Sequence, residues 1–447
     1  MTATVIQNIQ KLLINGSNPS VFPEVSSEET LNYLVVDGVL APSHGKEFVD
    51  TFDSEVDAAY KSDQTGRWYI VAGNSLYQID QIGFLSKIAT IPKTLRTISF
   101  AENVNNQIAI TTGSALYVFN TEDNTLTEVE AANGLQINSP NSCCVIDNII
   151  IVSERNGTTF QLSNANNALI FQDIVLQFTA NAGNIVTVSE IDNTLFVIGN
   201  SAIERWVTTP NGDEVFNKDN VYLEPYGLAF QDSFVNKFNM SIGIFTSKSG
   251  NLRTMFLTSS SSGFKTISTP GITKKMKQYG SVINADLYEI DEYLYYEVVF
   301  SEGRSFIYNF NSEIWTESTS PFEQVISFDT SDYAAYGNSL YKIIPYSNDQ
   351  LKKRQTPFIL KQDFGRFNPS NVRFWFNNKT REKGIINVLG TQDNVKNITL
   401  NHRQVDGKLI YDSVKYDIYP TSYQFSFIIE TYMNVIWRGM YGEMHNG

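Results

Sequence analysis

The sequence predicts an all-β protein: a β-propeller of about seven blades followed by a C-terminal β-sandwich. Three observations carry that expectation. One hairpin motif recurs at blade spacing, strand-forming residues pervade the chain, and helical periodicity is confined to a few short stretches.

The hairpin comes first. Gly-Asn-Ser-Leu-Tyr occurs at Gly73–Tyr77 and again at Gly337–Tyr341, with variants at Gly113–Tyr117 and Gly199–Ile203. Each copy sits between two apolar runs, such as WYIVAG and SLYQID around Gly73. Gly and Asn tolerate the positive φ that tight turns demand, so each unit reads as strand, turn, strand. Gly73 to Gly113 is 40 residues, Gly113 to Gly157 is 44 and Gly157 to Gly199 is 42. Turns near Gly250 and Gly303 divide the remaining 138 residues to Gly337. Seven hairpins therefore span 264 residues at a mean interval of 44, close to the roughly 40–50 residues of a four-stranded blade.

Composition agrees. Of 447 residues, 42% are apolar and 13% aromatic, enough for a sizeable core and well suited to a pleated surface. Helical spacing is limited to residues 2–13, to Ser26–Glu29 as a candidate capping box, and to a turn or two from Lys274 to Tyr279. The run after Tyr346 reads as a linker closed by Pro357, and five short strands follow it. These features divide the chain into an N-terminal segment (a short helix or arm, 1–34), a propeller (35–350) and a β-sandwich (351–447).

The formal charge of −14 argues against broad DNA binding, because like charges repel the phosphate backbone. The basic runs Lys274–Lys277 and Lys352–Arg354 read as solvated surface. Cys143 and Cys144 are strand neighbours that point to opposite faces, so they are expected as two unbridged buried thiols in a reducing compartment. No signal-peptide pattern opens the chain and no apolar run is long enough to span a bilayer. The expectation is synthesis in a cytoplasm without membrane insertion.

The search for chemistry yields no catalytic, cofactor-binding or metal-ligating residues. His44, His402 and His445 are far apart in sequence and none has metal-ligand spacing with another. No phosphate-cradling loop or nucleophile elbow is present. The enzymatic rival is a propeller glycosidase with carboxylates meeting in the channel, acting on host surface polysaccharide. Ser62–Trp68 contains the Gly and Trp of a sialidase-type turn in the wrong register and reads as a polar turn. Asp37, Asp192 and Asp291 lie beside turn residues, and Trp206, Trp315 and Trp437 end strands, where packing accounts for them.

Five segments in order, IGNSAIERW (198–206), YGLAFQDS (226–233), TISTPGITKKMKQYG (266–280), NADLYEIDEYLYYEVVF (284–300) and RSFIYNFNSEIWTES (304–318), resemble the tail-hub, or packaged-DNA stabilisation, proteins of short-tailed bacteriophages. The resemblance implies a non-enzymatic virion protein of the phage tail. It implies a homo-oligomer, a hexameric ring below the portal and its adaptor. Such a ring retains packaged DNA, lets the genome pass without specific binding, and carries the tail needle and tail spikes.

Overall fold

The computed structural model describes residues 4–5, 13–14 and 28–446, apart from 93, 181–182, 210–214, 260–262, 347–349, 357–358, 361–366, 378–383, 393–394, 406–410 and 417–423. The seven recurrent glycines all lie where the second strand of a four-stranded antiparallel sheet passes to the third. At Gly73 the need for glycine is explicit: φ is +57°, and a Cβ would meet Ser54 Cβ at 2.8 Å.

The sheets are blades. Blade 1 comprises Val56–Lys61, Trp68–Ala72, Ser75–Ile79 and Leu85–Thr90. Blades 2, 3 and 4 follow within 99–129, 140–177 and 185–224, and blades 5 and 6 within 226–266 and 282–318. Blade 7 has only three strands after Gln324. Its fourth is Gly45–Thr51, taken from upstream of blade 1, with Ser339 opposite Thr51 and Ile344 opposite Gly45. The two ends of the propeller thus share one sheet, which removes a free edge and closes the ring.

Seven apolar layers fill the seven gaps between blades. Cys143 faces the layer between blades 2 and 3, and Cys144 the layer between blades 3 and 4. Both are free and buried, as strand alternation requires. Burial pushes the Cys143 thiol up to about 11 and raises Cys144 as well. Trp206 and Trp315 belong to such layers, and Trp437 is fully buried with its indole N–H donated to the Tyr33 hydroxyl at 2.8 Å.

Strand pairing places the N-terminal boundary differently from 34/35. Glu29–Leu31 lies parallel to the outer strand of blade 6, Leu31 opposite Glu317, and antiparallel to Lys352–Gln355. It therefore carries the blade 6 sheet onward through Gln424–Thr431, Gly384–Gln392 and Val395–Val405. The hairpin Tyr33–Val36 and Val39–Pro42 joins a second sheet with Ile436–Asn446, Phe367–Asn377 and Tyr411–Tyr416. Phe374 of that sheet and Phe427 of the first are 5.5 Å apart in edge-to-face contact. The physical reason for the shared sheet is the exposed edge of blade 6, which Glu29–Leu31 covers.

Three local expectations need correction. Thr4–Val5 pair as a strand with Met444 and Glu443; the rest of the candidate helix 2–13 lies outside the described residues except Leu13. Glu28 and Glu29 cap no helix: Glu29 begins a strand and Glu28 pairs with Arg354. Lys352 and Arg354 are fully buried rather than solvated. The Arg354 guanidinium donates to the carbonyls of Leu13 and Gln355, to Thr30 Oγ1 and to Glu28 Oε1, because a buried cation needs every donor met. The helix near Lys274 spans Pro270–Met276, with Thr269 as its N-cap. No helix among the described residues is long and apolar enough to cross a membrane.

Candidate functional site

A closed propeller places one strand of each blade against a common axis. Here these are Val56–Lys61, Ser99–Glu102, Pro140–Ile146, Ile185–Ile191, Val235–Lys237, Val282–Ile290 and Gln324–Ser327. They surround a central cavity of about 1300 Å³. Spread over a strand length of roughly 20 Å, that volume gives a bore roughly 9–12 Å across, no wider than the major groove of DNA alone at about 12 Å.

The wall is acidic. Its described lining includes 13 carboxylates and three cations, Lys61, Arg96 and Lys237. Two-residue turns in which both residues have positive φ follow the inner strands of blades 3 to 6, at Asp147–Asn148, Asp192–Asn193, Phe238–Asn239 and Asp291–Glu292, and the last two line the cavity. Asp192 and Asp291 thus hold the turn positions expected of them, and Asp37 does so in the Tyr33–Pro42 hairpin. The Asp-Asn pairs after Ile146 and Ile191 are a second blade-spaced signal legible in the sequence.

Asp57, Glu102, Glu190, Asp286 and Glu323 of this lining are tied into the wall. Asp57 accepts from Arg96 Nε at 2.5 Å and from the Gly73 amide at 2.9 Å, while Arg96 also reaches Glu55 at 2.8 Å. Glu102 accepts from Ser62 Oγ at 2.7 Å and the Asp63 amide at 2.9 Å. The Asn193 amide donates to Glu190, and the Gly337 amide to Glu323, both at 2.7 Å. Asp286 pairs with Lys237 and accepts the Val325 and Leu287 amides at 2.7 and 2.8 Å. Burial raises the pKa of all five, the paired cations and amides opposing it in part. Carboxylates so engaged hold blades and turns in register. A hydrolytic pair instead needs two carboxyls free toward a substrate at a set separation.

Ser62–Trp68 is the connection between the first two strands of blade 1, with the Gly66 amide donated to the Ser62 carbonyl at 2.8 Å, a polar turn as read. The structure does not bring the histidines together: His44 lies 3.4 Å from Asp291, whereas His402 and His445 occupy separate sheets opposite Asn387 and Asn368. Among the described residues no group of three or more His, Cys, Asp or Glu is disposed to hold a metal ion.

The family model described as Bacteriophage P22 Gp10, beta-propeller, matches residues 22–321. This chain belongs to that family. It is a structural protein of the phage virion, and the propeller read from the hairpin spacing is the family's fold. No curated protein sequence matches the chain. Similar solved structures include virginiamycin B lyase from Staphylococcus aureus, at 13% identity and a TM-score of 0.45, covering 68% of this chain and 99% of that one. The Cps50 (Swd1) β-propeller domain of Myceliophteria thermophila is 7% identical with a TM-score of 0.47, covering 68% and 100%. At these values neither bears on what this chain does.

Proposed function

We propose that this member of the Gp10 propeller family has no enzymatic activity and acts as the hub of a short phage tail. In this reading it forms a hexameric ring below the portal and adaptor, retains the packaged genome and supports needle and spikes. The observation that carries the proposal is the family match over residues 22–321. The site geometry supports it in two ways. Five of the 13 channel acids are spent on wall contacts, and a bore roughly 9–12 Å wide leaves no path for a duplex through one propeller. DNA then passes through the centre of the ring, beside subunits whose charge of −14 disfavours adhesion. The propeller serves as a rigid wedge in that ring.

Electron microscopy of the purified protein mixed with its portal-adaptor complex tests the reading. A ring beneath the adaptor is expected; a protein that stays monomeric and never joins the adaptor would sink it. Asp232 lines the channel and burial raises its carboxyl pKa; release of reducing ends from host polysaccharide, abolished by Asp232→Asn, would overturn the non-enzymatic part.

A further inference from the structure

Charge is not spread evenly around the propeller. Residues 97–177, which contain blades 2 and 3, hold eight acidic residues and one basic one. Residues 226–280, which contain blade 5 and the helix Pro270–Met276, hold one acidic residue and seven basic ones. A chain of net charge −14 therefore carries a strongly basic sector a few blades from its most acidic one.

Much of this charge is outward and unspent. In the basic sector Lys237 is paired with Asp286 and Lys275 with Glu317. Lys248, Lys265, Lys274 and Lys277 are exposed and in no ion pair among the described residues. They sit on consecutive packed elements. Lys248 is in the turn after Met240–Ser247, Lys265 pairs across from Phe256, and the segment leading into the helix is held to blade 5 by the Thr254 amide, which donates to Ser268 Oγ at 2.8 Å. In the acidic sector Glu122, Glu130 and Asp173 are likewise exposed and in no ion pair among the described residues. Blades 2 and 3 meet there, with Gln136 Nε2 donated to the Asp173 carbonyl at 3.2 Å.

Apolar surface accompanies the acidic sector. The outer strand of blade 3, Asn167–Gln177, exposes Ile170, Ile174 and Val175, and blade 4 exposes Val207 and Leu223. By contrast the outer strand of blade 1 presents Lys87 and that of blade 6 is covered by Glu29–Leu31, while that of blade 7 sets its exposed Phe48 among Lys46, Glu47 and Asp50. Exposed apolar residues beside unneutralised charge mark a protein interface rather than a bare solvated face.

We propose that two copies of this chain meet head to tail, the basic sector of blade 5 and its helix on one copy docking against the acidic, apolar edge of blades 2 and 3 on the next. Such a contact is heterologous, so it propagates, and it closes into a ring when the two surfaces on each subunit diverge by less than a straight line. Seven blades lie about 51° apart, and the surfaces are two to three blades apart, roughly 100–150°. With propeller axes parallel to the ring axis, that divergence closes a ring of roughly five to twelve copies, a range that contains six. The inference rests on the ring of the proposed function and names the surfaces that would build it.

Charge exchange tests it on the full-length chain. A basic-face variant (Lys248→Glu, Lys265→Glu, Lys277→Glu) and an acidic-face variant (Glu122→Lys, Asp173→Lys) are compared with wild type by sedimentation and native mass spectrometry. Each variant alone is expected to self-associate at least about tenfold more weakly, and an equimolar mixture to recover assembly, since each supplies what the other lacks. Recovery also shows that both variants fold. Unchanged assembly of either variant, or a mixture that fails to recover, overturns the assignment. So does a basic-face variant that assembles normally but loses retention of duplex DNA, which would give the sector to phosphate instead. In all those cases rings still form in wild type, so the hub reading survives; only a wild type that never assembles removes both.

Discussion

Replacing Arg354 with Ala should release the N-terminal strand while leaving the propeller folded. The guanidinium donates to the Leu13 carbonyl at 2.9 Å, Thr30 Oγ1 at 3.1 Å, the Gln355 carbonyl at 2.9 Å and Glu28 Oε1 at 2.6 Å. Arg354 is fully buried and Glu28 nearly so. Stranding a buried carboxylate costs about 3–5 kcal/mol, and each orphaned neutral acceptor about 1 kcal/mol. Water entering the vacated space recovers part of this, so the expected local loss is about 4–6 kcal/mol. That is comparable to the stability of a whole small domain, concentrated on one three-residue strand. Burial already raises the Glu28 pKa, with Arg354 opposing it. Without Arg354 the pKa rises further. A carboxyl raised in the folded state favours folding while protonated and loses that contribution as pH rises through its folded pKa, so the variant should be worse at pH 8 than at pH 5. Hydrogen exchange across Glu29–Leu31 and Lys352–Gln355 reads the effect, with the blade 2 strand Gln107–Thr111 as the internal control. Less than tenfold loss of protection at Glu29–Leu31, or equal loss in blade 2, would refute the reasoning.

Other expectations follow from the same physics. Trp315→Ala, at the centre of the layer between blades 5 and 6 and 5.0 Å from the Tyr308 ring, should cost about 3–5 kcal/mol in denaturant unfolding. Glu297 is fully buried, accepts from Tyr288 and Ser305, and is pushed by burial up to about 7, with the Lys46 ammonium opposing. Its native state thus binds the extra proton between about 4.5 and 7, and stability from this group falls as pH rises across that window. Thermal unfolding of Glu297→Gln should accordingly gain on wild type from pH 5 to pH 8; a constant difference would contradict the assignment. Cys143, with its thiol raised to about 11, should resist thiol reagents at pH 8 until the chain unfolds, with rates tracked by absorbance.

What was legible in the chain was periodic and local. The glycine turns marked all seven blades, and at Gly73, Gly113, Gly250, Gly303 and Gly337 the φ is positive, a conformation few other residue types adopt. Strand alternation sufficed to send Cys143 and Cys144 to different cores. Illegible were the pairings that join distant segments. Nothing local in GKEFVDT says that Gly45–Thr51 completes blade 7, nearly 300 residues away in sequence. Nothing local in Lys352–Arg354 says that its charge is buried, because burial is decided by what folds over it. The channel was half legible: turn-forming Asp residues were evident, but their convergence with carboxylates of other blades was not.

By itself, then, the sequence determined the repeat, its strand content and its family kinship, since these depend on residue type and spacing along the chain. Tertiary structure alone decided the clasp between the first and last blades, the sharing of the blade 6 sheet with the C-terminal strands, and which charges of the acidic and basic segments stay outward and unpaired. Each of those depends on which faces meet in space, and ring closure, not sequence proximity, brings them together.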